Sequence, residues 1–187
     1  MILDDALGMN NAIVVAHPDD EALWAGGLPV RYKYRKFTII CCSIPRTDPI
    51  RAMKFFESCH RLNARGILLP QVESEPSEQL KNLQWLDISG YDAVITHNSV
   101  GEYGHEHHRQ VHRYVSSLCK PITFGFGINT NVTIDLTVQE VNKKIKALQA
   151  YDHILPFNGQ EITKWEALIQ RYCQQEGLDL RIEKYNV

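Results

Sequence analysis

Short apolar runs rich in β-branched residues alternate along the chain with longer stretches of helical periodicity. Ala12–Ala16 (AIVVA) and Phe37–Cys42 (FTIICC) are continuous rather than alternating, which predicts strands buried on both faces. Tyr91–Thr96 (YDAVIT), Ile122–Phe126 and Val132–Leu136 read as further strands, and Ile67–Leu69 as a short one. Helices are predicted over Ala22–Tyr34, Ile50–Ala64, Glu106–Leu118, Gln139–Tyr151 and Thr163–Cys173. Ser43–Pro49 reads as loop, and Glu73–Glu78 as a polar loop leading into a helix through Trp85. Strands alternating with helices of this length predict an α/β fold: a mainly parallel sheet flanked by helices on both faces. Ligands of such sheets bind outside the carboxyl ends of the strands.

Composition narrows the function classes. With 44% hydrophobic and 22% charged residues over 187 positions, the chain has the apolar content of a globular protein, and its length predicts a single unit over residues 1–187. A formal charge of −2 argues against nucleic-acid binding by bulk charge. The apolar runs are too short to cross a bilayer. The first ten residues carry two Asp and no basic cluster, so no secretory leader is expected. Cys41, Cys42, Cys59, Cys119 and Cys173 form no C-x-x-C pair, which predicts reduced thiols in a cytoplasm. Arg31–Lys36, which interleaves bases and aromatics, reads as a solvated helix end. Lys143, Lys144 and Lys146 read as an exposed helix face. Gly26-Gly27 suits close helix–sheet packing, and the dinucleotide pattern G-x-G-x-x-G is absent.

The candidate chemistry lies in two segments, each at the predicted carboxyl end of a strand. The first is His17-Pro18-Asp19-Asp20-Glu21. Acids at a helix N-terminus account for its carboxylates but give His17 no role. The second is Gly101-Glu102-Tyr103-Gly104-His105-Glu106-His107-His108, within a stretch holding five of the eight histidines. His105 and His108 are about one turn apart, as are His108 and His112, so spacing alone does not choose a ligand pair. His17, Asp20 and His108 would make a two-histidine, one-carboxylate site with room for water, suited to zinc or to ferrous iron.

The run AHPDDE followed by GEYGHEHH resembles the PIG-L/LmbE family of zinc-dependent N-acetylglucosaminyl deacetylases. The likeness extends to Glu57 and Gly66 around the second long helix, and to Val132–Tyr151. It implies a Rossmann-like three-layer sandwich with Zn2+ (or Fe2+) held by His17, Asp20 and His108. By the same likeness Asp19 is the general base, His105 a charged or proton-donating helper, and Tyr103 a gating or oxyanion-stabilising residue. Arg51 or Lys54 would meet substrate. The family's H-P-D-H is here His105-Glu106-His107-His108, and the residues after its Lys-rich helix are here Asp152-His153. Of the remaining histidines, His107 is expected to face solvent, His112 to be a solvated helix residue or to support a ligand, and His97 to bond the loop. The expected protein is thus a cytoplasmic hydrolase of a small amino-sugar substrate, with no nucleic-acid or membrane partner and with homo-oligomer formation left open. An amidase of non-sugar N-acyl metabolites and a non-catalytic metal-binding module are the alternatives. Loops Ser43–Pro49, Ser99–Tyr103 and Gly125–Asn131 would form the substrate rim.

Overall fold

In the computed structural model, which describes residues 3–43, 50–70, 80–151, 154–157, 160–163 and 180–187, the two continuous apolar runs become the central strands. After a short helix α1 (Leu3–Ala6), β1 (Asn10–Val15) pairs in parallel with β2 (Lys36–Cys41), Ala12 lying opposite Thr38 and Val15 opposite Cys41. Between them run α2 (Asp20–Ala25) and α3 (Gly27–Arg31); the single helix expected over Ala22–Tyr34 is broken at Gly26. Next come α4 (Arg51–Arg61), the edge strand β3 (Arg65–Leu68), a 3-10 turn at Lys81–Trp85, β4 (Ala93–Thr96), α5 (Glu106–Leu118) and β5 (Ile122–Phe124). The chain continues through β6 (Val132–Asp135), α6 (Val138–Gln149), a β-ribbon of β7 (Ile154–Phe157) and β8 (Gln160–Thr163), and finally β9 (Ile182–Asn186). Residues 44–49, 73–78, 152–153 and 164–173, which carry parts of the expected loops and last helix, lie outside the described residues; Thr163 itself closes β8.

The seven-stranded sheet has the order β3-β2-β1-β4-β5-β9-β6. Its strands are parallel from β3 to β5, and β9 is antiparallel to both neighbours. Alternate side chains of β1 feed opposite layers. Ile13 and Val15 pack with Ala22, Phe55 and Leu148 from α2, α4 and α6, whereas Ala12 and Val14 pack with Val111 and Val115 of α5. That two-sided burial is what a continuous apolar run predicts, and it makes the expected α/β sandwich the observed one. Successive connections place β2 and β3 on one side of β1 and β4 on the other, so the order reverses between β1 and β4. In open parallel sheets that reversal opens a crevice at the strands' carboxyl ends. His17 follows β1 and His97 follows β4 directly.

β9 was not anticipated, and it overturns the exposed reading of Lys144. The strand's pattern buries Glu183 and Tyr185. Glu183 accepts from Lys144 Nζ at 2.6 Å, from the Tyr185 hydroxyl at 2.6 Å and from the Gly27 backbone N–H at 2.8 Å. Lys144 shares a buried stripe of α6 with Leu148, which is why its ammonium meets a carboxylate instead of water. The basic end of α3 is likewise engaged. Arg31 pairs with Glu140 at 2.8 Å and Arg35 with Asp4 at 2.7 Å, while Tyr34 is exposed.

Gly27 permits this approach. A Cβ there would stand 2.5 Å from Leu136 Cδ2 and 2.8 Å from Glu183 Oε2, a carboxylate already pinned by its partners. Gly27→Ala is expected to cost about 1–3 kcal/mol through overpacking, read as a lower urea midpoint at unchanged m-value. Among the described residues, no helix is long and apolar enough to cross a membrane.

Candidate functional site

The turn after β1 is built by its own side chains. Asp20 Oδ2 accepts the His17 backbone N–H at 2.9 Å, and the Trp24 indole Nε1–H donates to Asp20 Oδ1 at 3.2 Å. Asp19, the residue before α2, takes φ 111°, a backbone conformation that only short polar side chains and glycine tolerate well. Its backbone N–H donates to Glu21 Oε2 at 2.9 Å. Glu21 in turn accepts from the Ser58 and Tyr151 hydroxyls, both at 2.6 Å, so α4 and the end of α6 brace the turn from behind. Burial pushes the Glu21 carboxyl up to about 7 against those hydrogen bonds.

The second segment arrives from β4 through a loop with positive φ at Gly101, Glu102 and Gly104. Gly101 is required there, since a Cβ would stand 2.5 Å from the His105 carbonyl oxygen. His105, in extended conformation, precedes α5, and the helix delivers His107 and His108 fully buried. His107 therefore does not face solvent as expected: its Nδ1 lies 3.0 Å from His17 Nε2. The first turn of α5 is enclosed on more than one side, which a one-face periodicity argument does not anticipate. His112 Nδ1–H donates to the His97 carbonyl at 2.9 Å, and His97 Nδ1 bonds Glu102 in the loop at 2.9 Å.

Asp20 stands between His17 and His108. Asp20 Oδ2 lies 3.4 Å from His17 Nδ1 and 3.4 Å from His108 Nε2. Two donors on a tetrahedral zinc ion at 2.0–2.1 Å stand about 3.3 Å apart, so these separations fit that ion. His105 belongs to the same cluster as His17 and His108, and His97 to one with Asp20 and His108; in each, the donor atoms lie within 4.8 Å of one another. The hydrogen bonds separate the candidates. The Ala16 backbone N–H donates to His97 Nε2 at 2.9 Å, which occupies that lone pair. His108 Nε2 is buried with no hydrogen-bond partner, and so is His105 Nδ1. Buried nitrogens without partners are rare, and a carboxylate facing them calls for a cation. The residues thus fit a metal ion.

Charge follows the same geometry. Burial works to raise the Asp20 carboxyl, but His108, His17 and His97 hold it well below the usual carboxylate range. Burial also works to raise Glu102, yet the His97 and His108 imidazoles bring it down to about 2. For His105, burial reinforced by His17 and His108 pushes the imidazole down to about 3. The ring expected to be a charged or proton-donating helper is thereby held toward its neutral form.

A cavity of about 60 Å3, above the roughly 10–15 Å3 that one water needs, opens beside the cluster and is lined by His17, Asp19, Asp20, Leu23, Arg51, Tyr103 and His105. Tyr103 packs edge-on to His105 and His108, with ring centroids 5.8 and 5.5 Å away. Arg51, expected to meet substrate, reaches this cavity but donates from Nε and Nη2 to the Pro18 carbonyl at 3.0 and 2.7 Å, and pairs with Asp19. Lys54 is half-buried on α4 and does not line the cavity. Glu57 is exposed and pairs with Arg61 one turn on.

No family model matches the chain. The uncharacterized protein L374 of Acanthamoeba polyphaga mimivirus is 24% identical over 170 residues, covering 78% of this chain and 73% of the relative. Among solved structures, the N,N'-diacetylchitobiose deacetylase of Pyrococcus horikoshii aligns with TM-score 0.61 at 14% identity, over 95% of this chain and 83% of its own. The A40926 pseudoaglycone deacetylase Dbv21 aligns with TM-score 0.63 at 10% identity, over 95% and 96% of the two chains. GalB, the 4-carboxy-2-hydroxymuconate hydratase of Pseudomonas putida KT2440, aligns with TM-score 0.62 at 13% identity, over 95% of each. The fold implied by the sequence resemblance is therefore the fold of this chain, and it is shared with deacetylases and with a hydratase.

Proposed function

We propose that the chain is a zinc-dependent hydrolase that removes the N-acetyl group from an N-acetylglucosamine-like amino sugar of a glycoconjugate or biosynthetic intermediate, releasing acetate. The observation that carries this reading is that Asp20 Oδ2 meets both His17 Nδ1 and His108 Nε2 beside the Asp19 carboxylate. These three side chains would hold the ion; ferrous iron accepts the same donors. When bound, the metal supplies Lewis acidity, bringing the pKa of a coordinated water from 15.7 toward about 7.

The chain's own residues supply the rest. Asp19 takes the proton of the attacking water and is placed to return it to the departing amine. Arg51 pairs with the Asp19 side chain and with the Pro18 carbonyl, fixing the base in the turn. His105 and Tyr103 line the cavity as hydrogen-bond donors for the oxygen on which negative charge grows. Lys54, three residues after Arg51 on α4, is the cation proposed to meet polar groups of the substrate further out. The unpaired thiols of Cys41, Cys42, Cys59 and Cys119 support a reducing, cytoplasmic setting.

Fold-mates that include a hydratase make acetate the decisive readout. Protein loaded with zinc is expected to release acetate from N-acetylglucosamine or one of its glycosides, with the free amine found by mass spectrometry. Chelation should stop the release and zinc should restore it. Release from non-sugar N-acetyl amines alone would overturn the sugar assignment, and no acetate from any amide would overturn the hydrolase.

A further inference from the structure

We infer that Glu102 is a positioning residue that fixes which nitrogen of His108 carries its proton, so that the lone pair of Nε2 is the one presented to the metal site. The inference rests on the metal site proposed above, but its central claim is about a tautomer and is measurable without metal.

The Glu102 carboxylate is buried behind the histidines. Its Oε2 lies 2.6 Å from His108 Nδ1 and 2.9 Å from His97 Nδ1, and its Oε1 accepts the Asn98 backbone N–H at 2.9 Å. An ionised carboxylate only accepts, so both rings must place N–H on Nδ1. Each Nε2 then holds a lone pair, and the two lone pairs have different uses. That of His97 receives the Ala16 N–H, while that of His108 has no hydrogen-bond partner and lies 3.4 Å from Asp20 Oδ2. The two rings stack at 3.8 Å, which keeps them in register on the one oxygen. Through His97 and Ala16 the same carboxylate is tied to the tip of β1, immediately before His17. Glu102 thereby sets the separation of the two halves of the site as well as the orientation of one ligand.

The backbone supports this assignment. Glu102 has φ 55°, in the left-handed region that a side chain longer than Asp or Asn seldom adopts. Such a conformation persists where the surroundings over-determine it, and three hydrogen bonds to one buried carboxylate do so. A carboxylate donating orientation to a metal-binding imidazole is also a recurrent device, and its removal typically lowers metal affinity about 10–100-fold.

The test uses 15N-labelled imidazoles in metal-free protein together with zinc competition against a chelator. In the wild-type chain, His108 should carry its proton on Nδ1. Glu102→Gln is the informative variant, because its amide nitrogen cannot accept and its single oxygen cannot serve Oε2 and Oε1 together. It should show His108 shifted toward the Nε2–H form and zinc bound about 10–100-fold more weakly, with Glu102→Asp intermediate and far-ultraviolet dichroism unchanged. A wild-type His108 whose neutral ring is protonated on Nε2 and not on Nδ1 overturns the inference whether or not any variant folds. So does Glu102→Gln with the wild-type tautomer and wild-type zinc affinity. If the wild-type chain bound no zinc while His108 kept its Nδ1 proton, the metal proposal would fall and the tautomer assignment would stand.

Discussion

Asp19→Asn is expected to keep its metal and lose acetate release by about 10²–10⁴-fold in kcat, equivalent to roughly 3–5 kcal/mol of barrier. The variant is isosteric, and its side-chain oxygen can still accept from Arg51. Asn also tolerates the positive φ of 111° at this position, so the turn should survive the change. What disappears is the ability to take a proton from water. Metal content by elemental analysis and kcat at saturating substrate separate the two outcomes. Full activity with metal retained would remove Asp19 as the base. Loss of metal together with activity would instead show that position 19 matters to the ion's site. Asp19 is not among the residues whose donor atoms cluster, so the first result is the expected one.

The parts of the fold that were legible in the sequence are those whose signal is local. β1 and β2 announce themselves by apolar continuity, and α5 begins and ends at Glu106 and Leu118, as its periodicity predicts. The two chemistry-bearing segments were legible for the same reason: each sits where a strand stops and its residue types have no structural use as a set. Most of the misses involve partners distant in sequence. β9 is short and carries Glu183, Lys184 and Asn186, residues poorly suited to strands, so nothing nearby marks it as a central member of a sheet. Glu183 is tolerated inside because Lys144, 39 positions away on α6, meets it together with the Tyr185 hydroxyl and the Gly27 N–H. Lys144 did leave a signal, since Leu148 and Tyr151 share its helical stripe, but basic neighbours at 143 and 146 masked it. His107 was hidden because the first turn of α5 is covered on two sides. Glu102 was given no role of its own from the sequence, and only its meeting with His97 and His108 reveals its use. Arg51 shows the converse: its proximity to the site was readable, whereas its grip on the Pro18 carbonyl was not.

His108→Ala is expected to reduce bound zinc from about one per chain to near none, and to abolish acetate release with it. His108 is the shared member of both donor clusters, and its Nε2 is a buried nitrogen that lacks a hydrogen-bond partner. Its loss takes away a donor and also leaves Glu102 with one imidazole fewer. Zinc saturation should raise the thermal midpoint of the wild-type chain, since a ligand at 100 times its Kd stabilises the folded state by about 2.7 kcal/mol. The variant should show no such rise. His105→Ala makes the comparison decisive, because His105 lies in the same cluster with an unpartnered Nδ1. It should keep zinc and the thermal shift while losing much of the rate, as a donor to the growing oxyanion would. If instead His105→Ala released the metal and His108→Ala retained it, the ligand set would have to be redrawn around His17 and His105. Asp20 would then be left facing an imidazole that serves only to orient it.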